Sequence, residues 1–184
     1  APLLSGNALD KYISAGIYDD HECSSADEAK ERIRKGQCVM IRRGSAARNL
    51  MDLLPLFDEP WNRRCMLVTD DYHPDDLLKK GHINSIIRET VAAGKSPLIG
   101  IRMATIQAAK HFGLKSVGAV APGYSADIAV FEDFSEFKTS FVLKNGEKVY
   151  DRYKAINFIE PIISKELDQK VRSSFALRAL SKSD

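Results

Sequence analysis

A chain of 184 residues is long enough for one sizeable core. Its 44% hydrophobic and 28% charged residues are an ordinary globular composition. The net charge of +2, from 27 basic and 25 acidic residues, is no electrostatic footprint for nucleic acid or a membrane surface.

The opening Ala1-Pro2-Leu3-Leu4-Ser5-Gly6 lacks the basic and apolar regions of a signal peptide. Without an initiator Met, it reads as the start of a piece cut from a longer protein. Ser5 caps a predicted helix to about Ala15, with Gly16 as its stop. Ile17 to His21 reads as a short strand ending in polar residues. Ser25-Ala26-Asp27-Glu28 matches a capping box, predicting a helix that ends before Gly36. Cys38 to Ile41 is a short apolar run, a buried strand that breaks at Arg42-Arg43-Gly44-Ser45. Ala46 to Leu54 is predicted as a short helix before Pro55, and Arg64 to Thr69 as a third strand.

Pro74 to Lys80 and Ile83 to Ala93 are amphipathic helices, and Ser96-Pro97 opens a long helix to about His111. Strands alternating with helices through short connections predict parallel βα units, with the strands covered on both faces. After Gly113 the texture changes: Gly118 to Gly123 is turn-rich and Asp127 to Phe131 is a strand. Phe137 to Leu143 alternates, and Asn145-Gly146 signals a hairpin returning through Lys148 to Tyr150. Phe131, Phe134, Phe137 and Phe141 are expected to form the core of this region. The tail from Arg152 is mixed and expected to be poorly ordered. No apolar run approaches the roughly 20 residues of a membrane-spanning helix.

Three widely spaced cysteines, Cys23, Cys38 and Cys65, make neither a disulfide framework nor a cysteine-rich zinc site. Free thiols in a reducing cytoplasm are the expectation. Polar residues gather at strand ends, where parallel α/β folds place their chemistry. In Asp19-Asp20-His21-Glu22, a neutral imidazole can ligate a divalent metal and the carboxylates can orient it or meet substrate. Read alone, the same residues make an ordinary solvated turn. In Thr69 to Asp76, a carboxylate can bind metal or carry protons, while Asp75 and Asp76 complement a helix N-terminus. Arg42, Arg43 and Ser45 lie just beyond a strand end, within reach of a substrate there, although a basic run is more often solvated surface. His111 reads as a helix cap. Phosphate-loop, dinucleotide-fingerprint, nucleophile-elbow and cysteine-zinc deaminase motifs are absent. Three βα units take roughly 100 residues and a closed eightfold barrel about 250. An incomplete barrel and a small open sheet both fit that spacing.

Particular blocks then resemble the bacterial and archaeal adenine deaminases of the metal-dependent amidohydrolase superfamily. They are Ala15 to Cys23 with its Asp-His-Glu-Cys, Ile41 to Leu50 with its Arg-x-Gly-Ser-Ala-Ala, Leu67 to Asp71, His73 to Leu77, Gly81 to Ile83, Met103 to Thr105 and Gly118 to Ile128. They run in order from about Ser5 to Tyr150. The last is common to amidohydrolases, whereas the first two are more specific.

The resemblance implies an α/β fold: part of a (β/α)8 TIM-type barrel, strands six to eight, followed by part of a small β-sandwich. Residues 1–113 would be barrel, 114–151 sandwich and 152–184 tail. It implies His21 as a metal ligand and Asp70 as both metal ligand and proton carrier, with Glu22 as a second catalytic residue. Ser45 and Arg42 would lie on the substrate side. Asp71 joins them, or replaces Asp70 if the alignment shifts by one. The implied reaction is hydrolytic deamination of adenine to hypoxanthine and ammonia, with a binuclear manganese or iron centre and a homodimer as the family expectation. The family's remaining ligands, after strands one, four and five, are not in this chain, so the chain alone is expected to be inactive. The alternatives are another amidohydrolase, acting on an aminated heterocycle or cyclic amide, and a catalytically silent binding module.

Overall fold

The computed structural model describes residues 2–156 and 162–174. One compact unit reaches from the N-terminus to Lys154, and a second takes in the described residues beyond it.

The first unit opens with α1 (Gly6–Ser14), β1 (Asp19–Asp20), α2 (Ala26–Arg34) and β2 (Cys38–Arg42). Ser5 stands at the N-cap of α1, but its hydroxyl makes no capping bond. Carboxylates of α2 serve that end instead: Glu31 accepts from the Gly6 amide at 2.9 Å and Glu28 from Leu3 at 3.1 Å. In α2 the capping residue behaves as expected, with Ser25 Oγ accepting from the Glu28 amide at 3.3 Å. The predicted strand from Ile17 shrinks to Asp19–Asp20, while the Ile17 carbonyl is taken by Gln37 Nε2 at 3.0 Å.

Two 3-10 turns, Leu54–Phe57 and Trp61–Arg64, lead into β3 (Cys65–Val68). The helix expected over Ala46 to Leu54 is not formed. Asp71, distant in sequence, accepts from the Ala46 and Ala47 amides, and the Asn49 amide N–H is turned back to Arg42 O at 3.1 Å. Gly44 N–H bonds instead to Ala47 O, and Arg43 pairs antiparallel with Arg48. Strands β1, β2 and β3 form a parallel sheet in that order, with Ile41 beside Leu67 and Arg42 beside Val68.

The helices α3 (Pro74–Lys80), α4 (Ile83–Ala92), α5 (Pro97–Ala104) and α6 (Ile106–His111) follow. The single long helix expected from Pro97 to His111 breaks at Thr105, whose φ of −128° and ψ of −97° are not helical. The break lets Gln107 Nε2 reach the carbonyls of Asn62 and Cys65, at 2.6 and 2.7 Å, at the start of β3.

Val39, Ile41 and Leu67 pack with Leu53, Phe57, Ile86 and Met103 in a core with little or no solvent exposure. Each such side chain contributes roughly 1.5–3 kcal/mol by leaving water. The expectation of strands covered on both faces holds less well for β2, where buried and half-buried residues alternate. Met40 is half-buried on the other face.

An antiparallel sheet of β4 (Ile128–Phe131), β5 (Thr139–Lys144) and β6 (Glu147–Asp151) follows, with β5 central. Asn145 and Gly146, both at positive φ, make its hairpin turn. Fully buried Phe137 joins the same core as Ile41 and Ile86, with Phe131 at 5.3 Å between ring centroids. Phe134 departs from expectation at 56% exposed, and Phe141 lies under Lys148 Nζ at 4.9 Å. In the second unit, α7 (Lys165–Ser173) stands where the sequence promised no element. Ser164 Oγ accepts its Leu167 amide at 3.1 Å. Residues 157–161 and 175–184 of the tail lie outside the described residues. Among the described residues, no helix is long and apolar enough to cross a membrane.

Candidate active site

The C-terminal ends of the three parallel strands carry His21-Glu22, Arg42 and Asp70. Beneath the first, Asp20 is buried, and its Oδ1 accepts from the Glu22 amide at 2.7 Å and from the Cys23 thiol at 3.4 Å. Its Oδ2 lies 3.5 Å from Arg32 Nη1, whose side chain is fully buried and also meets Glu28 at 3.0 Å. Burial alone would raise the Asp20 carboxyl, but the Glu22 amide and the Arg32 guanidinium hold it below the usual carboxylate range. Burial pushes the Cys23 thiol the other way, up to about 12, and the Asp20 charge adds to the effect. The turn bearing His21 therefore stands on a charged but internally paired base.

Arg42 is the hub above it. Nη1 lies 2.8 Å from Glu22 Oε1 and 3.3 Å from Asp70 Oδ2, while Nη2 lies 3.3 Å from Glu22 Oε2. Glu22 Oε1 is also 3.1 Å from His21 Nε2. The structure thus links four of the predicted residues: Arg42 holds Glu22 and Asp70, and Glu22 in turn meets His21. The imidazole remains 48% exposed and the Asp70 side chain 31%, so both are open to solvent. Asp70 adopts a left-handed φ of +51°, a conformation that Asp tolerates better than most residues and that often marks functional turns.

Two other predicted residues are held by neighbouring loops. Asp71 accepts from the amides of Ala46 at 3.0 Å and Ala47 at 3.2 Å. Against desolvation, those amides keep its carboxyl low. Ser45 Oγ donates to Asp76 at 2.5 Å and accepts from the His73 amide at 2.9 Å. Asp76 does more than complement a helix end, because it ties the loop after β2 to the first turn of α3. The Lys80 ammonium, with that Ser45 bond, keeps the Asp76 carboxyl low. Arg43 pairs with Glu89 at 2.7 Å, beside a shallow cleft of about 190 Å³ also lined by Arg48, Leu50 and Met51. None of the four linked residues lines that cleft. His111 is not a simple cap: its Nε2 lies 2.8 Å from Asp19 Oδ2, joining α6 to β1.

Reasoning from sequence gave Asn49 no role of its own. It is buried, its Oδ1 accepts the Arg42 amide at 2.8 Å, and its Nδ2 donates to Cys23 O at 3.0 Å and His21 O at 3.3 Å. A buried Asn seven residues after a strand-end Arg is the only local signal, and its partners across the sheet are invisible in one dimension.

Imidazole and carboxylate are suitable donors for a divalent transition metal. In number they fall short, since among the described residues no group of three or more His, Cys, Asp or Glu side chains is placed to hold an ion. His21 and Asp70 fit a metal site as part of its ligand set.

Residues 4–149 match the family model described as the amidohydrolase family. The chain belongs to the amidohydrolase family. It is 45% identical, over 98% of its length, to adenine deaminase 2 of Carboxydothermus hydrogenoformans, and 43% identical, over 89%, to adenine deaminase of Thermosipho africanus. It spans only 31% and 28% of those relatives, less than a third of either. Among solved structures, β-aspartyl dipeptidase of Fervidobacterium islandicum matches with a TM-score of 0.59 and 16% identity. That match covers 73% of this chain and 37% of the dipeptidase, and it speaks for the fold alone.

Proposed function

We propose that this chain supplies part of the catalytic centre of an adenine deaminase, which hydrolyses adenine to hypoxanthine and ammonia. The observation that carries the reading is the convergence of Glu22 and Asp70 on Arg42, with His21 against Glu22, at the ends of parallel strands. This convergence lies in a chain more than 40% identical to adenine deaminases over most of its length. The three strands are read as the last three of a barrel, and the antiparallel sheet as part of a flanking β-sandwich. His21 and Asp70 would be ligands of a divalent metal, manganese or iron, with the remaining ligands supplied by the rest of a longer protein. When bound, the metal supplies an acidified water that is nucleophilic near neutral pH.

The Asp70 carboxylate would hold a proton and pass it to the amine leaving C6, a transfer that requires hydrogen-bond reach. The Arg42 guanidinium fixes Glu22 through both carboxylate oxygens, aiming it at the purine edge. Ser45 and Asp71 shape the wall on the substrate side through the loops they tie together. A reducing, cytoplasmic setting suits the three free thiols, and a homodimer is the assembly expected of the intact enzyme.

The test is ammonia release from adenine, with manganese supplied, by the full-length parent and its Asp70→Asn variant. Turnover by the parent and a loss of at least about 100-fold in the variant are expected, the scale of a general base. A metal-loaded parent that releases no ammonia from adenine would overturn the assignment of substrate.

A further inference from the structure

From the geometry around Asn49 we infer that this residue positions the catalytic centre, setting the His21 imidazole relative to Arg42. The inference rests on the metal-site reading above. Asn49 sits below the exposed residues, only 4% accessible, and touches no group that could itself react. Its amide spans two strand ends. The oxygen holds the Arg42 N–H at 2.8 Å, and the nitrogen holds the carbonyls of Cys23 and His21 at 3.0 and 3.3 Å. Both donor protons and an acceptor lone pair are thereby used. The Asn49 backbone N–H also donates to Arg42 O at 3.1 Å, so the residue brackets Arg42 from both sides.

The turn after β1 has no sheet partner of its own beyond Asp20, where the register with β2 ends. The backbone of His21 is fixed by Asn49 on one side and, through Asp20 and the Glu22 amide, on the other. Asp20 is in turn held by buried Arg32, so the base of the turn is already rigid. Asn49 is what relates that turn to the neighbouring strand end, where Arg42 grips Glu22 and Asp70. A half-exposed ligand depends on such a connection, because its own side chain has few packing contacts to fix its direction.

The test uses the full-length parent with Asn49→Ala, Asn49→Asp and His21→Ala, titrating the metal-free proteins with Mn2+ and recording the visible spectrum of the Co2+ forms. Asn49→Asp keeps an acceptor for the Arg42 amide while losing both donors to the His21 turn. Both Asn49 variants are expected to bind Mn2+ about 10–100-fold more weakly, the range for residues that orient metal ligands. Their Co2+ spectra are expected to shift, and kcat for adenine to fall with KM little changed. A lower thermal midpoint with parental Mn2+ affinity and an unmoved Co2+ spectrum would overturn the inference, reducing Asn49 to a structural residue. If Asn49→Ala does not fold, the same readings on Asn49→Asp decide. Weakened Mn2+ binding in His21→Ala but parental binding in the Asn49 variants would overturn this inference alone. Parental binding in His21→Ala would overturn the metal-site reading together with it.

Discussion

At the scale of single residues, the candidate site depends on close approaches that leave no room for change. A Cβ on Gly44 would stand 1.8 Å from Asp71 Oδ1 and 3.0 Å from the Thr69 carbonyl. The carboxylate could swing aside, but only by releasing the amides of Ala46 and Ala47, and the carbonyl is backbone. Gly44→Ala in the full-length parent is therefore expected to cost about 1–3 kcal/mol, as overpacking does, and to show as a lower thermal midpoint. The thiols give a second expectation. Burial raises all three thiols, but Cys23 and Cys65 are buried whereas Cys38 is partly open to solvent. Thiolate is the reactive form, so iodoacetamide at about pH 8 should label Cys38 fastest, with Cys23 and Cys65 following only on unfolding. Peptide mass spectrometry resolves the three, and early labelling of Cys23 would contradict the packing described. Much of this scale was legible: His21, Glu22, Arg42 and Asp70 stand out as polar residues at strand ends. Asn49 and Gly44 were not, because their importance comes from partners 20 or more residues away, such as Cys23 and Asp71.

At the scale of elements, α2 is bound to the sheet by a buried charge rather than by apolar contact alone. Arg32 is fully buried against Asp20 and Glu28. Removing one partner of such a pair costs about 3–5 kcal/mol, so Arg32→Ala should unfold at markedly lower denaturant concentration than the parent. Asp20 and Glu28 are both held below their ordinary values in the folded chain. Burial opposes this, but their bonded amides and Arg32 prevail. The stability these carboxylates contribute is full above the unfolded carboxyl range near pH 4, and is lost as pH falls through the lower folded values. Thermal unfolding followed from about pH 7 to pH 3 should show the loss at the acid end, with a shallower acid limb in Arg32→Ala. The elements themselves were mostly readable, since capping residues, apolar runs and the Asn145-Gly146 turn are local signals. Two of the departures share a cause. Over Ala46 to Leu54 the chain folds back on β2 instead, through Asn49 and the Arg43–Arg48 bridge, and after Thr105 the chain turns to bring Gln107 to β3, so tertiary bonds override acceptable helical sequence.

At the scale of the whole molecule, the described residues bring together only two candidate metal ligands, His21 and Asp70, with Glu22 beside them. The 184-residue chain alone is accordingly expected to bind Mn2+ far more weakly than the full-length parent and to release no ammonia from adenine. Titration of both with Mn2+ checks this, and tight stoichiometric binding by the chain alone would contradict the count of ligands. The break at Thr105 has its own effect at this scale. It turns α6 beneath the sheet, where Gln107 satisfies the carbonyls at the start of β3 and His111 reaches Asp19 on β1. The sheet thus has a floor, fastened at both of its outer strands. One short helix therefore holds both outer strands at the ends opposite those that carry His21 and Asp70, so that a change in α6 reaches β1 and β3 together.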